Sequence, residues 1–167
     1  MNLEELAQTE NELYSIVMDL YRQEQTKETD NRLDEVFTSY KQVHKQYAEL
    51  AHKELEALKR GLFIQWYALT EPSYLTGIGD IDEQAEIKII NLIDEKIGSN
   101  TLDSELTWML NYYATWDYVF EGFHTFSNLK AFLVNAKSSL PEKIEGNRME
   151  KRGQMGKYWN SLNQFKQ

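Results

Sequence analysis

No cysteine occurs in the 167 residues, which excludes disulfides, thiolate nucleophiles and cysteine-ligated zinc, and with them a disulfide-dense secreted scaffold. A reducing, cytoplasmic setting fits that absence. Apolar runs reach only three or four residues, as at 62–64, far short of the roughly 20 that a membrane-crossing helix needs. No membrane partner is expected. The first residues, MNLEELAQTENEL, are acidic and lack an apolar stretch, so no secretory signal is expected there. Basic side chains are scarce too: 18 against 27 acidic ones leave a net charge of -9, which repels a phosphate backbone and argues against nucleic acid. The three histidines, His44, His52 and His124, are scattered, and no serine or threonine sits in a G-x-S-x-G turn. The G-x-G at 77–79 has neither the strand before it nor the further glycines after it that a phosphate-cradling loop requires.

What the chain does have is apolar periodicity. The 41% hydrophobic content is enough for one core in a chain of this length. From 3 to 22, Leu3, Leu6, Leu13, Val17 and Leu20 form one helical stripe. A second runs from Leu33 through Val36, Tyr40, Val43, Tyr47, Leu50, Leu55, Leu58, Leu62 and Trp66 to Leu69, with Asp30 or Asn31 as its cap. No proline interrupts it before Pro72. Continuous from 31 to 69, it would span about 58 Å, against about 40 Å for a globule of this size. It must therefore break or protrude, and Gly61 is the weak point, marking a kink or a close helix contact.

A third helix opens at Asp82 and Glu83, turns Ala85, Ile89, Leu92, Ile93 and Ile97 inward, and stops at Gly98. A fourth, capped by Thr101 or Asp103, carries Leu102, Leu106, Met109, Tyr113, Trp116, Phe120 and Phe123, with Gly122 at its bend or end. A fifth starts near Ser127 and stops before Pro141. The expected fold is all-α: an antiparallel bundle of four main helices, a short fifth, and an amphipathic segment built on Tyr158, Trp159, Leu162 and Phe165. Residues 1–140 form the bundle domain. Residues 141–167 form an extension docked on it or on a partner, reading as linker as far as 157. The charge divides the same way, -12 before 141 and +3 after it.

Two Glu-x-x-His pairs, Glu49 with His52 and Glu121 with His124, carry the most specific chemical signal. Two such pairs, joined by glutamates from two other helices, hold the di-iron site of ferritin-like bundles. A metal-dependent bundle enzyme is the alternative they support. Against it, Glu49 and His52 fall off the stripe of Tyr47, Leu50 and Leu55, and no other helix sets a glutamate within its apolar stripe. No metal or other cofactor is expected. The acidic run GIGDIDEQAE lacks calcium-loop spacing, since position twelve from Asp80 is Asn91. The helix dipole explains those carboxylates.

The aromatic side chains at 108, 112, 113, 116 and 118 are too many for one inward face. Some must line a groove, pocket or interface, and Trp66, Tyr67, Glu71, Tyr112, Trp116 and Asp117 are its candidate residues. The reading is a non-catalytic helical interaction protein that binds a protein partner, a small ligand or a second copy of itself as a homodimer. An acidic inhibitor of a basic protein is the further alternative.

Overall fold

In the computed structural model, which describes residues 1–137 and 149–164, every regular element among the described residues is helical. Helix α1 (Leu3–Tyr21) starts from a capping box, in which Asn2 accepts from the Glu4 and Glu5 amides and the Glu5 carboxylate accepts from the Asn2 amide. Helix α2 (Lys27–Leu50) starts earlier than expected. Thr26, not Asp30 or Asn31, is its cap, because Thr26 and Thr29 satisfy each other's backbone amides.

The long second helix does not exist as one piece. The amides of Lys53 and Glu54 both donate to Leu50 O, Glu54 turns extended (φ -125°, ψ 107°), and a new helix, α3 (Leu55–Thr70), begins. The physical reason is visible in the stripe. Its steps are three or four residues except from Leu50 to Leu55, where five residues in a straight helix would swing the apolar side about 140° off the seam. Breaking at the polar His52, Lys53 and Glu54 restores the phase and resolves the excess length.

Helix α3 becomes the central element. Every residue from Ala57 to Trp66 is buried, and α3 packs on α2, on the short α4 (Ser73–Thr76), on α5 (Glu83–Gly98) and on elements further along the chain. Gly61 makes the close contact rather than a kink: a Cβ there would collide with the Ile89 side chain of α5. Asp82 caps α5 through the Ala85 amide at 3.0 Å.

The expected fourth helix is also shorter. Helix α6 (Ser104–Tyr113), capped by Asp103, ends before Trp116 turns extended, and a 3-10 segment (Asp117–Phe123) follows. The tighter winding turns Val119 and Phe120 inward and leaves Tyr118 outside. Helix α7 (Ser127–Val134) has no cap of its own, since Phe126 precedes it. Asp94 of α5 supplies one, accepting from the Leu129 amide and the Asn128 side chain.

Pro141 and Phe165 lie outside the described residues. The linker expected up to 157 is corrected over its last part, because helix α8 (Gly153–Gln164) already includes residues 153–157, and Met149, Arg152, Gln154 and Met155 are buried. Its glycines serve contact: Gly153 has φ 61°, and a side chain on Gly156 would meet the Met149 carbonyl. Helix α8 packs on α1 and α3.

Candidate functional site: a filled aromatic groove and an open one

The candidate residues divide between two grooves. Four of the six meet around Trp66, which is 1% exposed. Its ring stacks on Tyr67 and stands edge-on to Tyr112 and Trp116, with centroids 5.3–5.8 Å apart. Tyr113 stacks on it at 4.7 Å. The groove these rings form is filled by the chain itself. From α8, Tyr158 comes within 5.0 Å of Trp66, Trp159 lies over it at 6.5 Å and meets Trp108 at 4.6 Å, and the Tyr158 and Tyr112 hydroxyls are 2.7 Å apart. Burial first, then the Glu71 charge, pushes the Tyr67 phenol up to about 12. Burial and the Tyr112 hydrogen bond raise Tyr158, with Glu71 adding to the effect. Glu71 thus borders the aromatic cluster without entering it.

Helix α8 is also held by buried polar groups that periodicity alone does not show. Arg152 donates to Glu56 from Nε at 2.6 Å and from Nη2 at 2.5 Å, and to Glu105 from Nη1 at 2.5 Å. Lys59 bridges Glu105 to Asp103, and Arg60 bonds Glu56 and the Leu3 carbonyl. Burial alone would raise the Glu105 carboxyl, yet the hydrogen bonds and charges of Arg152 and Lys59 hold it below the usual range. Three acidic and three basic side chains thereby neutralise one another across α3, α6 and the start of α8.

A second polar centre is Glu10 of α1, 1% exposed. It accepts from the Tyr47 hydroxyl at 2.5 Å, the Tyr40 hydroxyl at 3.1 Å and the Gln154 amide at 3.2 Å. The Gln154 side chain donates onward to Tyr40 Oη and Thr76 O. Burial pushes the Glu10 carboxyl above its usual range, against the opposing effect of those donors and of Arg60. Sequence reading passed over Glu10, although the signal was there: Leu6, Glu10, Leu13 and Val17 are spaced as one unbroken stripe.

Asp117 belongs to the other groove. The 3-10 segment and α7 enclose a volume of about 540 Å³, walled by Tyr118, Phe120, Phe123, Leu133 and Val134. Its polar rim is Asp117, Glu121, His124 and Lys130. Val134 is 79% exposed and Tyr118 50%. The volume falls in the range of small-ligand and side-chain pockets.

The two Glu-x-x-His pairs are not brought together. Glu49 and His52 are exposed at the end of α2, where His52 Nδ1 donates to the Glu49 carbonyl. Glu121 and His124 sit on the 3-10 segment, and no three such side chains gather into a metal-binding group among the described residues. His44, buried in α2, accepts from Gln65, and burial depresses its pKa to about 4 despite the nearby Asp82 charge. No helix among the described residues is long and apolar enough to cross a membrane. Comparison with protein-family models, with curated proteins and with solved structures gives no match.

Proposed function

We propose that the chain is a non-catalytic helical interaction protein whose open groove, between the 3-10 segment and α7, receives a basic amphipathic segment of a partner protein. The observation that carries this reading is an apolar trough of about 540 Å³ with Asp117 and Glu121 on its rim, set on a body whose first 140 residues carry a net charge of -12. Apolar walls favour an apolar helix face, and the surrounding acidic field favours basic flanks on it. The interior ionisable groups offer less to a reaction, since Glu56, Glu105, Lys59 and Arg152 already bond one another. The cysteine-free sequence fits a cytoplasmic setting for such a protein.

The long stripe and the surplus aromatics both have uses within the chain: the stripe is two packed helices, and the aromatics pack against α8. The open groove is the place where a second copy would compete with a partner. The test is titration of the labelled protein with a synthetic leucine–lysine amphipathic helix and with its leucine–glutamate counterpart. The expected result is saturable shifts of the Leu133 and Val134 methyl resonances with the basic peptide, weakening as salt rises. Absence of shifts at these methyls with either peptide sinks the reading. A concentration-dependent dimer dissolved by Val134→Glu would assign the groove to a second copy instead.

A further inference from the structure

Helix α8 has a sequence poorly suited to holding a helix by itself. Gly153, Gly156, Asn160 and Ser161 all disfavour helix, and twelve residues is a marginal length in water even for good helix formers. Its order comes from what it docks on. At one end the Arg152 guanidinium enters a cleft between Glu56 and Glu105, where it is matched by two carboxylates at once. One residue on, Gly153 passes so close to Glu10 that any side chain there would strike the carboxylate. Six and seven residues beyond Arg152, Tyr158 and Trp159 enter the rings of α3 and α6.

This is how a groove recognises a peptide: a charged fork at one end, small residues where backbones approach, and paired aromatics at the other end. The fit is incomplete in one respect. Trp66 Nε1, Tyr113 Oη and Trp159 Nε1 are buried with no hydrogen-bond partner among the described residues, which penalises the docked arrangement. An occupant supplying an acceptor there would gain over α8.

We propose that the groove formed by α1, α3 and α6 is an interaction surface for a segment carrying an arginine, a glycine directly after it, and a tyrosine–tryptophan pair six and seven residues on. Helix α8 is its resident, displaceable occupant. The claim is independent of the open groove beside α7, and the two are separable by where a ligand acts.

The experiment uses the full-length, isotopically labelled chain and an unlabelled synthetic peptide of residues 149–164. Excess peptide is expected to move the amide resonances of residues 153–162 toward disordered positions in a saturable manner. Arg152→Ala or Trp159→Ala in the peptide should weaken that competition at least about tenfold. In the protein alone, amides of 153–162 should exchange at least about tenfold faster than those at the centres of α1 and α3, reporting release of α8 without global unfolding. Equal exchange in all three helices overturns the proposal, because α8 then opens only when everything does. So does fast local exchange without displacement by the peptide. Peptide shifts confined to Leu133 and Val134 would also overturn it, while leaving the open-groove reading standing.

Discussion

The groove under α8 and the groove beside α7 are walled by the same kinds of side chain, yet one is closed and the other open. The difference lies in how their charges are matched. Around the closed groove, Glu56 and Glu105 are both partnered by Arg152, which arrives with the same segment that delivers Tyr158 and Trp159. Around the open one, Asp117 and Glu121 make no ion pair among the described residues, and Val134 stands in solvent. An aromatic groove in this protein is therefore satisfied when one segment brings both apolar rings and a cation. By that standard the open groove, with Lys130 on its own rim, still lacks a segment among the described residues that brings both.

The largest test of the contrast is Trp159→Ala. Its indole meets Trp66, Trp108, Tyr112, Tyr113 and Tyr158, and truncating a buried tryptophan costs about 3–5 kcal/mol. Amide exchange in residues 153–162 should rise by roughly a hundredfold or more, with near-ultraviolet circular dichroism reduced. Unchanged exchange would mean that the rings do not hold α8. Arg152→Ala comes next. It strands Glu56 and Glu105 beside fewer cations, and breaking a buried pair costs about 3–5 kcal/mol. The partner carboxylates here retain 27% and 24% exposure, so about 2–3 kcal/mol is expected by urea denaturation. Charge is the issue, so Arg152→Lys should recover only part of the loss, lacking the fork that spans both carboxylates.

Much of this contrast was written in the sequence, and what was missed has physical causes. The stripe of α5 was legible because its apolar residues recur at three and four residues, and that of α1 because its one longer step, seven residues from Leu6 to Leu13, spans two turns. The break at Leu50–Leu55 was hidden by averaging a single five-residue step into a long period. The aromatic surplus named Trp66, Tyr67, Tyr112 and Trp116, whose rings meet. The segment of Tyr158 and Trp159 was expected to dock on the bundle or on a partner, but its seat against those rings was not legible, because Arg152 and Gln154 also set it. Hydrophobic pattern reports burial of carbon. It is silent on buried Lys59 and Arg60, which reach the Glu105 carboxylate of α6 and the Leu3 carbonyl of α1.

Glu10 provides a smaller and pH-dependent test of how the closed groove is held. Burial raises its folded pKa above the usual carboxylate value. Its contribution to stability is therefore full below that usual value, about 4.3, and is lost as pH rises through the folded pKa. Glu105 runs the other way: its folded pKa is depressed, so its contribution is present above the usual value and lost as pH falls. The stability of the wild type minus that of Glu10→Gln should thus decline as pH rises through Glu10's folded pKa. Urea denaturation across the acid to neutral range measures the difference. A flat difference would show that the Glu10 carboxyl titrates alike in the folded and unfolded chain, so that burial does not raise it.

The smallest effect on stability should come from the open groove, and it is the most informative about function. Val134 is 79% exposed, so Val134→Glu should alter unfolding free energy by no more than about 0.5 kcal/mol. It should nevertheless weaken binding of the leucine–lysine peptide at least about tenfold, since it places a charge where an apolar face would lie. Ile87 on α5, 53% exposed and outside the groove, is the matched control. Ile87→Glu should leave the affinity unchanged. If both substitutions weaken the peptide equally, the protein merely has adhesive apolar residues. If only Val134→Glu does so, the trough beside α7 is a specific site, and the two grooves differ in whether their occupant belongs to the same chain.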